Sequence, residues 1–356
     1  MKRQRPILIS GPCSVETEEQ VMQTALQLKE FTQIDMLRGG IWKPRTRPDS
    51  FEGVGAIGLP WLVNAAKTIG VPSTTEVANA KHVEMALSAG IDQLWIGART
   101  TVNPFAVQEI ADALKGVSIP VLVKNPVNPD LELWIGAFER LEKVGLKNLT
   151  AIHRGFSIYK HAKYRNVPNW EIPIAFRERL PKIPLLNDPS HITGNRDLLL
   201  EVSQKAMDLN FDGLIIESHI TPEKAWSDAA QQLTPQALGE LLENLVLRSN
   251  NIKSEQEEDL QILREKISVL DDRLFEILTA RMHLSEEVGI FKKEHNITIL
   301  QAEHWKKVIE SRLEKANELE LTPRFVRQIM DALHQESIRH QIKIMNSSSD
   351  SNPNKK

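Results

Sequence analysis

At 356 residues the chain exceeds one ordinary domain, and its 41% hydrophobic residues suffice for a sizeable core. A formal net charge of -3 excludes general affinity for nucleic acid, so any anion recognition must be local. No stretch of about 18 uncharged apolar residues occurs, and the start, MKRQRPILISGPC, has no apolar run beyond PILI, which excludes a spanning or secretory segment. The single cysteine, Cys13, can form no internal disulfide. A soluble cytoplasmic protein is expected, with neither nucleic acid nor membrane as partner.

Short β-branched runs alternate with amphipathic stretches from residue 5 to about 248: ILIS (7–10), MLRGGIW (36–42), VPSTTEV (71–77), QLWIGA (93–98), PVLVKN (120–125), LTAIHRG (149–155), PLLNDPS (184–190) and GLIIESH (213–219). Strands buried on both faces and separated by helices make a parallel sheet, and a count of eight favours closure. The spacing therefore predicts an α/β fold, a (β/α)8 TIM barrel over residues 1–248. A polar linker, 249–256, follows, then an all-α domain over 257–345. Between Glu255 and Glu294 there is no proline and one glycine, Gly289, while Leu263, Ile267, Leu270, Leu274, Ile277, Leu284, Val288 and Phe291 recur at helical spacing. Such a helix would be roughly 60 Å long, too long for its own domain to cover, so a homodimer through this part is expected, with higher assembly open. Shorter helices are predicted at 302–319 and 323–343, the second with Thr322 as N-cap and Pro323 in its first turn. The tail, 346–356, has no apolar residue and is expected to be disordered.

In a barrel of this kind the site forms at the carboxyl ends of the strands. Those ends carry Cys13, then Arg38 with Lys43 and Arg45, Glu76, Arg99, Lys124, Arg154, Asp188 with His191, and Glu217. The six cations would repel one another unless an anion sat between them, which predicts a ligand with several negative charges, most economically two phosphates. A second set, Cys13, His191, Glu217 and Asp228, offers sulfur, nitrogen and oxygen donors. Such a mixture suits a borderline divalent ion better than calcium or magnesium.

GPCSVE (11–16), KPRT (43–46), IGART (96–100), DPSH (188–191) and IIESH (215–219), with SD at 227–228, resemble the 3-deoxy-D-arabino-heptulosonate 7-phosphate (DAHP) synthase family. The variety resembled is short and type I beta-like, without an amino-terminal extension. This resemblance implies condensation of phosphoenolpyruvate with erythrose 4-phosphate, the first step of the shikimate pathway. It places a divalent metal on Cys13, His191, Glu217 and Asp228, manganese before iron, cobalt or zinc. Phosphoenolpyruvate falls on Arg38, Lys43, Arg99, Lys124 and Arg154, and the phosphate of the aldehyde on Arg45 and Thr46. Lys43 is the expected proton donor and Glu76 the residue orienting water. The related 3-deoxy-D-manno-octulosonate 8-phosphate synthases have KANRS where this chain has KPRT, which favours the four-carbon aldehyde.

In the long helix, Arg281 follows Leu274 by seven residues and Lys292 follows Arg281 by eleven. Each offset is about 20°, so both cations lie beside the apolar seam and call for an anion, while Arg264 points about a quarter turn away. The run LREKISVLDDRLFEILTARMHLSEEVGIFKK, continued to ESIRHQ, resembles the all-helical (AroQ-type) chorismate mutases. The resemblance implies an intertwined dimer converting chorismate to prephenate. Arg264 would cross to the partner's site, Arg281 and Lys292 would act in their own, and Gln341 and Ser337 would stand near them. Gln301 would keep a polar contact, but where the family often has an arginine and a glutamate this chain has His304 and Trp305. A bifunctional enzyme is expected, with prephenate or chorismate restraining the barrel through the helical domain. The competing expectation is a helical part that senses ligand and dimerises without catalysing.

Overall fold

Side chains along a strand point alternately to its two faces, so closing a sheet sorts every second residue into an enclosed interior. The computed structural model describes residues 5–44, 51–159, 163–248 and 254–347, and the chain divides into two units, residues 1–250 and 251–356.

In the first unit eight parallel strands pair in chain order and close: β1 (Ile7–Gly11), β2 (Met36–Arg38), β3 (Ser73–Val77), β4 (Gln93–Ile96), β5 (Val121–Lys124), β6 (Leu149–His153), β7 (Leu185–Asn187) and β8 (Gly213–Glu217), with β1 against β8. The expected barrel is therefore present. Its second strand is shorter than the run MLRGGIW, because the chain turns at Gly39 and Gly40, where the Gly40 carbonyl accepts from Val15 N–H at 3.0 Å. Outward residues such as Leu37, Leu94, Val123 and Ile216 pack with Leu62, Ile110, Phe138 and Phe176 of the surrounding helices. Burying each such side chain contributes about 2 kcal/mol. Inward residues form a separate plug of Ile9, Met36, Trp95, Leu122, Ile152, Leu186 and Ile215. Local signals start the helices: Thr17, Asp130 and Thr234 accept backbone N–H groups as N-caps.

The second unit has helices at Ser254–Glu294, Ala302–Glu318 and Pro323–Asn346, the last capped by Thr322. Helix is thus already formed at Ser254 and lasts to Asn346, while the rest of the expected linker up to 253, and the tail beyond 347, lie outside the described residues. The glycine in the long helix has a packing reason: a Cβ on Gly289 would stand 3.2 Å from Gln341 Cα on the third helix. The seam residues do not find cover within one chain, since Leu270 is 61% and Ile277 66% exposed. Among the described residues no helix is long and apolar enough to cross a membrane.

Candidate active sites

Two residues beyond each plug side chain, the next inward position lies one layer nearer the barrel mouth. Arg38 follows Met36 in this way, Lys124 follows Leu122, Arg154 follows Ile152, Asp188 follows Leu186 and Glu217 follows Ile215; all five are buried. A charged ring therefore stands directly on an apolar floor. After Trp95 the corresponding position is Gly97, where a Cβ would lie 2.0 Å from Glu76 Oε1, so the missing side chain makes room for that carboxylate.

Burying a lone charge costs several kcal/mol, and most of the ring is paired. Arg38 Nη1 donates to Glu217 Oε1 at 2.9 Å and Nη2 to the Cys13 carbonyl at 3.2 Å. Lys124 Nζ donates to Asp188 Oδ2 at 2.8 Å. Arg154 differs: its Nη1 reaches two neutral oxygens, Asn166 Oδ1 at 2.9 Å and the Gly155 carbonyl at 3.5 Å, and among the described residues no carboxylate pairs with it. Burial pushes its pKa down to about 10, and Arg165 and Arg99 press the same way against Asp188. A buried cation of the mouth held by neutral oxygens is a place for an anion. Arg99 itself is exposed on the short helix Ala98–Thr101, and Glu76 Oε2 accepts from Trp95 Nε1 at 3.0 Å.

The four expected metal donors meet as two pairs. Cys13 Sγ lies 3.3 Å from Asp228 Oδ2, and His191 Nε2 lies 3.7 Å from Glu217 Oε1. Among the described residues no group of three or more such side chains is drawn into a closed cation site. Positive groups fill the space: Lys43 Nζ is hydrogen-bonded to Cys13 Sγ and stands 3.6 Å from Asp228 Oδ2. Burial, then Glu217, pushes the Cys13 thiol up to about 12. Burial also pushes His191 below its usual value, against the pull of Asp188. In the neutral ring, Nδ1 is held by Asp188 Oδ1 at 3.0 Å, which leaves the Nε2 lone pair facing the Glu217 carboxylate. Two acceptors turned toward each other, beside a thiol with an ammonium against it, fit a divalent cation, and the Asp188 contact is the outer-shell bond a ligating histidine requires.

Arg45 and Thr46 lie outside the described residues. The other eleven barrel groups singled out as strand-end candidates or donors are described, and the ring, Lys43, Glu76 and the four donors come together by the contacts above. Residues not anticipated from sequence complete the mouth. Gln231 Nε2 donates to Glu217 Oε2 at 2.6 Å, while Gln232 accepts from Cys13 N–H and donates to the Ser227 carbonyl, each at 2.9 Å. Arg165 donates to Asp228 Oδ1 at 3.0 Å. The doubled glutamine after Ser227-Asp228 was the available signal for the first two; Arg165 had none.

In the helical unit Arg281 Nη1 donates to Ser337 Oγ at 2.6 Å, and Lys292 Nζ donates to Gln341 Oε1 at 3.1 Å and to the Ile299 carbonyl at 2.7 Å. Burial lowers the pKa of both cations, and among the described residues neither has a carboxylate partner. The pairing of Arg281 with Ser337 and Lys292 with Gln341 brings four expected residues to one face between the first and third helices. Gln301 is exposed at the start of the second helix. Arg264 is exposed and stands seventeen residues before Arg281, about 25 Å along the axis, so it does not join them within one chain. His304 is exposed, while Trp305 stacks on His334 at 3.8 Å and 7°.

The DAHP synthetase I family model matches residues 2–254, and the chorismate mutase type II model matches 263–342. The chain is similar to the phospho-2-dehydro-3-deoxyheptonate aldolase of Thermotoga maritima, 34% identical over 238 residues, 67% of this chain and 68% of that protein. A crystal structure of the Thermotoga maritima aldolase (DAHP synthase) shares 33% identity with a TM-score of 0.59, covering 67% of each chain. A truncated form of 3-deoxy-D-arabino-heptulosonate 7-phosphate synthase from the same organism shares 30%, with a TM-score of 0.57 over 67% of this chain and 84% of that one.

Proposed function

The chain belongs to the DAHP synthetase I family and, with its chorismate mutase type II domain, is a bifunctional enzyme, a transferase and an isomerase; from that premise we propose how its residues divide the work. In the barrel, Arg38, Arg99, Lys124 and Arg154 bind the phosphate and carboxylate of phosphoenolpyruvate, and Arg45 with Thr46 binds the phosphate of erythrose 4-phosphate. Arg154, buried at the mouth with only neutral oxygens of Asn166 and Gly155 as partners among the described residues, is the observation that carries this reading. C3 of phosphoenolpyruvate attacks the aldehyde carbon, Lys43 donates a proton to the developing alkoxide, and water oriented by Glu76 adds at C2 before phosphate leaves.

Cys13, His191, Glu217 and Asp228 would hold the divalent ion, manganese before iron, cobalt or zinc, and when bound it supplies Lewis-acid polarisation of the aldehyde oxygen. Asp188 keeps the His191 ring oriented, and Gln231 and Gln232 keep Glu217 and the Cys13 backbone in place. Phosphate release from phosphoenolpyruvate, erythrose 4-phosphate and manganese, with and without chelator, tests the assignment. Full activity in the presence of chelator would remove the metal.

In the helical unit Arg281 binds a chorismate carboxylate, Lys292 and Gln341 face the ether oxygen, and Ser337 positions Arg281; charge gathering on the breaking bond is what they stabilise. Arg264 serves the site of a second copy, and two features support such a homodimer: the uncovered seam of the long helix and the distance of Arg264 from Arg281. We place the enzyme in the cytoplasm on its lone, buried cysteine. Joining the first step of the shikimate pathway to a later one supports feedback, with prephenate or chorismate at the helical unit restraining the barrel. Inhibition of condensation by prephenate, lost on truncation after about residue 250, is the expected result; equal sensitivity of the truncated barrel would refute it.

A further inference from the structure

Trp95 is the one plug residue with a hydrogen-bond donor, and it is 1% exposed. An indole buried at this depth needs an acceptor for its N–H, and its π-face attracts cations. Both needs are met by groups of the mouth. Nε1 donates to Glu76 Oε2 at 3.0 Å, Arg38 Cζ lies 5.0 Å from the ring centroid, and Lys124 Nζ lies 5.8 Å from it. The contact with Glu76 is set by the sheet, because Glu76 and Trp95 are register partners on β3 and β4. Gly97, two residues further on, leaves the space that the other carboxylate oxygen occupies. One rigid ring thus touches a carboxylate and two cations contributed by three other strands.

We propose that Trp95 is a positioning residue for the condensation. Its N–H fixes the Glu76 carboxylate, and its ring carries Arg38 and Lys124, so that the group orienting water and two groups binding phosphoenolpyruvate hold a set mutual geometry before substrate arrives. Trp95 reaches no reacting atom itself. The inference rests on the assignment of Glu76, Arg38 and Lys124 to the site.

Two substitutions in the full chain separate the two contacts. Trp95→Phe keeps a ring and loses the donor; Trp95→Gln keeps a donor and loses the ring. With manganese present, kcat, KM for phosphoenolpyruvate, the calorimetric Kd for phosphoenolpyruvate alone and the thermal unfolding midpoint are measured. Trp95→Phe should lower kcat about tenfold, the worth of one hydrogen bond to a charged group, with KM and Kd within about twofold. Trp95→Gln should raise KM and Kd about tenfold, the upper range for two cation–π contacts, with a smaller loss in kcat. A fall in the midpoint alone, or equal losses of kcat and affinity in both variants, would overturn the proposal by making Trp95 plain packing. Glu76→Gln and Lys124→Ala test the underlying reading: normal kinetics in both would remove the site assignment, whereas impairment there with normal Trp95 variants removes only the role of Trp95. If Trp95→Gln yields no folded protein, Trp95→Phe decides in the Glu76→Gln background. A cost under about twofold there supports action through Glu76, and the full tenfold loss overturns it.

Discussion

The barrel mouth and the helical unit both gather cations for anionic substrates, but they keep those cations in opposite ways. At the mouth, Arg38 and Lys124 are ion-paired with Glu217 and Asp188 of the same chain, buried on a floor that strand periodicity builds beneath them. In the helical unit, Arg281 and Lys292 rest on neutral oxygens of Ser337, Gln341 and Ile299, and the long helix bares its seam. A buried cation must have compensation from its own chain if nothing else arrives, whereas a partly exposed one can wait for a ligand. The barrel mouth accordingly balances most of its charge within the chain, and the helical unit leaves two things uncovered, its cations and the apolar seam of its long helix.

The strongest way to break this comparison is to damage each region and read both activities. Cys13→Ala should lower condensation about 10³-fold, the scale of several kcal/mol lost with a Lewis acid, and leave chorismate rearrangement unchanged. Undiminished manganese-dependent phosphate release would end the assignment of Cys13. Lys292→Ala should do the reverse, lowering chorismate loss by up to about 10³-fold while phosphate release persists. A parallel fall of both rates would mean that the two regions are not separable in this way.

Acid sharpens the contrast through His153, buried at the end of β6 against Phe156, Trp170 and Phe211. Its Nε2–H donates to the Pro168 carbonyl at 2.7 Å and its Nδ1 faces Asn187 Nδ2 at 3.1 Å, an arrangement for the neutral ring. Burial pushes its pKa from 6.5 down to about 4. Between those values the unfolded chain binds a proton that the folded barrel refuses, so stability present above pH 6.5 is lost as pH falls toward 4, by about 3 kcal/mol, with no further loss below. Urea unfolding of the barrel across that range should show the slope, and His153→Gln should flatten it; an unchanged slope in the variant would place the titration elsewhere. The smallest effect concerns assembly. Leu274→Asp should weaken the proposed homodimer by about 2 kcal/mol, seen by light scattering as monomer at dilution, and lower chorismate turnover with it. An unchanged mass and rate would show that the seam is covered otherwise.

Much of this was legible in the chain because strands and their ends announce themselves. The eight β-branched runs, the charges two residues past their apolar members, and the proline-free stretch with Gly289 each follow from local periodicity. The pairing across the mouth was not legible, since Lys124 meets Asp188 across 64 residues and Arg38 meets Glu217 across 179. Trp95 read simply as a strand residue, and its contacts with three other strands depend on closure of the sheet. Arg165 had no motif at all, and the stacking of Trp305 on His334 joins two helices whose separation in space no spacing rule gives.

Asp188 takes Lys124 on Oδ2, the backbone N–H of His191 on Oδ1, and His191 Nδ1 between its two oxygens, 3.0 Å from Oδ1 and 2.8 Å from Oδ2. A single carboxylate thereby ties a proposed phosphoenolpyruvate ligand to the aim of a proposed metal ligand. Laboratory selection for a different metal preference would disturb substrate recognition at the same stroke, and recovered variants should carry compensating changes around position 124.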